Sequence, residues 1–177
     1  MFRTTKKVLD RSLELLVMVV VAVLVVDVLW QVFTRFILKN PSTWTEELAT
    51  FMLIWVSLLG AAVALNRGAH LGIDYFVGKL SKKKRLYTEI FVFLCIAAFS
   101  FCVMTLGGID LVASTLQLKQ LSPALGVKVG YVYLAVPVSG FFLVLYSVIG
   151  LVERLAELVK GGPVSQQQVT HVEEGVD

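Results

Sequence analysis

Residues Trp44 to Phe76 read WTEELATFMLIWVSLLGAAVALNRGAHLGIDYF. The stretch opens on an aromatic ring and two adjacent carboxylates, Glu46 and Glu47. Eighteen residues, Leu48 to Leu65, then pass without a charge. The run closes on Asn66-Arg67-Gly68 and leads through His70 to Ile73-Asp74-Tyr75-Phe76. A bilayer core of about 30 Å takes roughly 20 apolar residues per helical crossing. One complete crossing is therefore written here, with both its ends and the start of an element that lies in the interface.

The other segments read as its partners. The chain has 177 residues, of which 57% are hydrophobic and 16% charged. Its mean hydropathy is +0.81. Soluble domains are nearer about 45–50% apolar and about 25% charged, so the composition specifies a membrane protein. The expected fold is all-α, with four transmembrane helices over residues 1–160. The crossings fall at about 13–34, 46–66, 87–109 and 129–152. A short amphipathic interfacial arm is expected at about 69–80, where AHLGIDYFVGKL is too short and too broken by Gly to span yet too apolar for a free loop. Residues 161–177, with Gly-Gly-Pro, three Gln and several acids, read as a disordered tail. The first apolar stretch exceeds the roughly 7–15 residues of a signal-peptide core, so it is expected to remain as a crossing.

Charge sets the expected orientation. Twelve of the 16 Lys and Arg fall in the N-terminal segment, the middle connection and the C-terminal segment. Cationic loops stay in the cytoplasm. Both termini are then cytoplasmic, with residues 35–45 and 109–128 outside. The net charge of +3 calls for no nucleic acid, and the basic run Lys82–Arg85 suits anionic lipid headgroups.

Ionisable groups inside a membrane are the default functional candidates. Asp27, well inside the first crossing, is open to two readings. It is an ion or proton ligand, or it pairs helices, with Arg35 two turns on as one partner. Glu46 and Glu47 stand where carboxylates favour a helix start, and Thr43 or Thr45 suits the cap. One carboxylate can serve its own helix while the other reaches Arg35 or a neighbour. Ser57, Gly60, Ala61 and Ala64 form a small-residue stripe of the kind that lets helices approach closely in lipid. Asp74 can cap or pair with Arg67. Pro137 predicts a kink in the fourth crossing. Trp30, Trp44, Tyr131 and Tyr133 lie where aromatic belts lie. Cys95 and Cys102 stand two turns apart on one helix, too far for a disulfide, and no CxxC occurs. No cluster of His, Cys or carboxylates has metal-ligand spacing, and no catalytic motif is present. Neither a catalytic residue nor a cofactor is expected.

Arg35, the Trp44-Thr45-Glu46-Glu47 start, the apolar run with Gly60-Ala61-Ala62, and Arg67-Gly68-Ala69-His70-Leu71-Gly72-Ile73-Asp74 together resemble a known family. They resemble the small membrane (DctQ-like) subunit of tripartite ATP-independent periplasmic (TRAP) transporters. The specific part of the resemblance spans Arg35 to Phe76; the other crossings match in layout. It implies a small scaffold subunit in the bacterial inner membrane. Such systems import organic acids, of the dicarboxylate or sialic acid type, on an ion gradient, commonly sodium. The implied partners of this chain are a large elevator-type membrane subunit, a periplasmic binding protein touched transiently by the outer loops 35–45 and 109–128, and lipid. On that analogy Arg35, Glu46 and Glu47 hold the helices and the junction with the large subunit, and His70 and Asp74 belong to the cytoplasmic arm. The sequence alone also admits a stand-alone oligomeric four-helix transporter or channel, or a membrane-embedded redox enzyme using Asp27 or the cysteines.

Overall fold

The computed structural model describes residues 2–40, 42–67 and 82–160. The expected interfacial arm, with His70 and Asp74, and the tail from residue 161 lie outside these residues. Helix α1 covers Phe2–Phe36 and α2 covers Thr43–Asn66. A single continuous rod follows, made of α3 (Lys82–Phe99), a π-helical stretch (Ser100–Gly107) and α4 (Gly108–Gln117). Helices α5 (Val129–Tyr133) and α6 (Ala135–Lys160) form the last crossing. Four helical segments among the described residues are long and apolar enough to cross a membrane: Leu9–Phe36, Thr43–Asn66, Lys84–Gln117 and Val129–Val159.

Helix α1 shows how the bundle is built. Its inward positions are Leu13, Val17, Val20, Leu24, Asp27, Gln31 and Thr34, all buried or half-buried. That spacing of four and three is the seam of a left-handed helix pair. Every exposed residue of α1 from Leu15 to Phe33 is apolar. Such a surface suits hydrocarbon and would be insoluble in water. Leu13, Leu59, Ala62, Leu65, Met104, Leu143 and Tyr146 form the core, drawn from α1, α2, the π-helical stretch and α6. In lipid, moving an alkyl side chain from tails to core gains little transfer energy. Close packing and polar ties therefore carry the association.

The third and fourth crossings pack through glycines. A Cβ placed on Gly130, Gly140 or Gly150 would lie 2.6 Å from Leu116, 2.8 Å from Met104 and 2.6 Å from Phe93. Partner numbers fall as the glycine numbers rise, so the two crossings run antiparallel with backbones in near contact. The helix of the third crossing, which the sequence places at about 87–109, runs on through Gly107-Gly108 to Gln117. A Cβ on Gly108 would meet Pro137 at 3.0 Å, so this glycine admits the neighbouring helix. The kink expected from Pro137 is present as the break at Leu134, between α5 and α6. A proline there cannot donate to the Tyr133 carbonyl four residues back, and its ring crowds that carbonyl. Beside it the rod widens, and Thr105 Oγ1 donates across the π-helical turn to the Ser100 carbonyl at 3.0 Å.

Replacing Gly140 by Leu is expected to force these crossings apart and lower the melting temperature of the purified chain by more than about 5 °C. Gly107→Ala, where the nearest atom to an added Cβ is 3.9 Å away, should leave it within about 2 °C. Equal melting of the two variants would show that the glycine contacts do not hold the pair.

Candidate functional site

The polar residues of this bundle gather in three places: the end that bears the termini, the opposite end, and the outward face of α2. At the end bearing the termini, Glu14 of α1 accepts from Arg67, which closes α2. The Nη2–Oε1 distance is 2.9 Å and Nε–Oε1 is 3.0 Å. The antiparallel α1–α2 hairpin brings Glu14 to Arg67; the pairing of Arg67 with Asp74 that the sequence admits lies outside the described residues. Tyr146 Oη donates to Asp10 Oδ1 at 2.8 Å, tying α6 to α1. Glu89 of α3 accepts from Arg85 at 2.8 Å and from Arg154 of α6 at 2.9 Å. Arg154 also reaches Glu157 at 3.0 Å. At this end α1 is thus tied to α2 and to α6, and α3 to α6, by charged or phenolic contacts. Asp10, Glu14, Glu89, Tyr146 and Arg154 were not singled out from sequence. The available signal is that each is a polar group within a turn or two of a crossing's end, where its partner also lies.

At the opposite end the two glutamates separate in role. Glu47 reaches out of α2 to the connection before the last crossing. Its Oε2 accepts from the backbone amides of Ala124 and Leu125, at 2.9 and 3.0 Å. Those amides are presented by a tight turn. Ser122 donates its amide to the Val127 carbonyl at 2.8 Å, Gly126 stands at φ +65, and Leu121 pairs with Lys128. Pro123 has no amide to compete, and two successive amides in such a turn form an anion-binding concavity. Glu47 therefore pins the 118–128 connection to the first turn of α2.

Glu46 points away, exposed. Arg35 is also exposed, and among the described residues neither makes an ion pair. The expected Arg35–glutamate contact does not form, because Glu47 is already engaged by loop amides and Glu46 lies on another face. Nor does Arg35 pair with Asp27. Asp27 is buried at 7% exposure, on the inward face of α1, and its Oδ2 has no hydrogen-bond partner among the described residues. The residue before α2 is Ser42, and no side chain caps this helix; Thr45 Oγ1 donates instead to the Ser42 carbonyl at 2.8 Å. The expected cap at Thr43 or Thr45 is thus absent.

The small-residue stripe lies off the buried face of α2. The buried positions of α2 are Thr45, Leu59, Ala62 and Leu65. Ser57 and Ala61 are exposed, Gly60 and Ala64 half-buried, and an added Cβ on Gly60 meets nothing within 4 Å. Trp44 is 45% exposed. Beside it a cavity of about 620 Å³ opens between the end of α1 and the start of α2. Cys95 and Cys102 are free and exposed, and no group of three metal-ligating side chains occurs among the described residues.

An all-helical membrane bundle, tied at its ends by polar contacts and polar along one outward helix face, is built to be one part of a larger membrane assembly. The chain belongs to the DctQ component family of tripartite ATP-independent periplasmic transporters, whose family model matches residues 24–157. It is similar to the sialic acid TRAP transporter small permease protein SiaQ of Vibrio cholerae, at 28% identity over 93% of this chain and 95% of that protein. The C4-dicarboxylate TRAP transporter small permease protein DctQ of Rhodobacter capsulatus is 30% identical over 54% of this chain and 42% of its own length. The isethionate TRAP transporter permease protein DctMQ of Oleidesulfovibrio alaskensis is 32% identical over 55% of this chain, a stretch that makes up only 15% of that protein. The relatives are transporter permease proteins, and the chain is a transport subunit rather than an enzyme.

Substituting Glu47 by Ala is expected to free the 118–128 connection while the helices stay folded. Hydrogen–deuterium exchange should rise about ten-fold or more at the Ala124 and Leu125 amides, with the α3 and α6 amides unchanged. Glu46→Ala should leave the loop amides protected. Equal effects from the two substitutions would contradict the division of roles.

Proposed function

We propose that this chain is the small scaffold subunit of a TRAP importer of organic acids, of the dicarboxylate or sialic acid type. On this reading it sits in the bacterial inner membrane with both termini cytoplasmic, as the concentration of Lys and Arg at that end predicts. It packs against a large membrane subunit that carries the substrate and moves as an elevator. A periplasmic binding protein delivers the substrate to that subunit, and an ion gradient, taken as sodium, drives uptake.

The observation that carries this reading is the match along nearly the whole length of a small permease protein of a sialic acid transporter. A shorter match within a much longer permease chain supports a large membrane partner. The physical design agrees. An elevator has to work against a part that does not yield. Glycine-mediated packing of the last two crossings and ion pairs at the bundle end make a stiff unit. Arg35, Glu46 and Trp44 would serve the junction with the large subunit, and His70 and Asp74 the cytoplasmic arm. Asp27, buried on the inward face of α1, is assigned to the α1–α2 seam.

Reconstitution into liposomes tests the proposal. With the large subunit, the binding protein and an inward sodium gradient, uptake of a labelled dicarboxylate or sialic acid is expected. This chain alone should give no uptake above empty vesicles. Gradient-driven uptake by the chain alone would overturn the scaffold role.

A further inference from the structure

Lipid tails can solvate an alkyl side chain but offer nothing to a hydroxyl or carboxylate. The outward faces of α1 and α2 differ sharply by this measure. All the exposed positions of α1 from Leu15 to Phe33 are apolar, and Val26 and Leu29 stand 66% and 64% exposed. On α2 the outward line runs Thr43, Glu46, Thr50, Leu53, Ser57, Gly60, Ala64. Its steps alternate three and four, the heptad spacing of a second helix–helix seam. Only Leu53 in it is large. Glu46 carries a free carboxylate, and Thr50 turns its hydroxyl back to the Glu46 carbonyl at 2.9 Å. Gly60 opens onto empty space.

This seam continues into the cavity at its outer end. Thr43 belongs to both, and Trp30, Leu38, Asn40 and Trp44 complete the walls. Ser42 also lines the cavity, and its hydroxyl has no hydrogen-bond partner within the chain. A helix lying along the seam would reach the cavity with a side chain near its own outer end.

We propose that the outward seam of α2, from Thr43 to Ala64, together with the Trp30–Trp44 cavity, is the docking site for one transmembrane helix of the large permease subunit. The proposal rests on the small-subunit reading above. It commits to that occupant because a relative carries the homologous stretch within a much longer permease chain, which sets such a stretch and the rest of a permease in one molecule. The matching helix presents small residues opposite Ser57–Ala64, a cationic or other hydrogen-bond donor opposite Glu46, and a bulky apolar side chain that fills the cavity. The α1 surface is left to lipid.

The test is co-purification of this chain with the large subunit from a co-expressing membrane. Gly60→Leu and Ser57→Leu add bulk where the chain itself has room, so the isolated subunit should melt as the wild type does. Both should lower recovery of the complex about ten-fold or more, while Val25→Leu on the α1 face should not. Filling the cavity with Thr43→Trp should act in the same direction. Wild-type recovery with Gly60→Leu and Ser57→Leu overturns the proposal and leaves the small-subunit reading standing. A wild-type chain that fails to co-purify overturns both. A wild-type homodimer broken by Gly60→Leu, with the complex intact, assigns the seam to a second copy and also overturns it.

Discussion

Inside a bilayer an unanswered hydrogen-bonding group costs several kcal/mol, roughly the whole stability margin of a small domain. The distribution of polar groups in this chain follows from that cost. Ion pairs stand at the ends of the crossings, where Glu14, Arg67, Glu89 and Arg154 keep access to water and headgroups. Several buried hydroxyls in the helices turn back on their own backbone, as Thr34, Thr115 and Ser139 do; Ser100 and Ser147 have no partner among the described residues. The exposed α1 surface from Leu15 to Phe33 holds no polar side-chain atom apart from the Trp30 indole nitrogen. One long face departs from this order, the outward seam of α2. Its carboxylate, hydroxyls and missing side chains are costly against lipid and useful against a helix.

The same constraint shapes the interior. Without a hydrophobic gain from leaving lipid, crossings have to earn their contact by proximity. Glycines at 130, 140 and 150 bring two backbones together, and Gly108 makes room for Pro137. The proline break at Leu134 and the π-helical widening from Ser100 face one another across this contact. The result joins a rigid hairpin of the last crossings to the α1–α2 hairpin through the Leu59–Tyr146 core. Glu47 locks the 118–128 connection of the first onto the helix start of the second. Both glutamates sit in the first turn of α2, yet one serves the fold and the other faces outward.

Hydropathy alone made the four crossings legible, because a run such as Leu48–Leu65 has no soluble use. The proline break was legible for a local reason, the missing amide of Pro137. The special character of Glu46-Glu47 could also be read, but the target of Glu47 could not. Two backbone amides 77 and 78 residues away leave no mark in the composition of a loop. The Glu14 partner of Arg67 was not legible, because the antiparallel hairpin brings together residues 53 positions apart. The stripe at Ser57–Ala64 was visible as a stripe. Its direction required the buried positions Leu59, Ala62 and Leu65 of the opposite face.

The central claim is that the polar seam of α2 is covered by the large permease subunit while α1 faces lipid. A photoreactive amino acid placed at Ser57, and separately at Val25, in the assembled membrane complex reads the neighbour directly. The account predicts an adduct with the large subunit from position 57 and only lipid adducts from position 25. Lipid adducts from both positions, or protein adducts from position 25 alone, would contradict it.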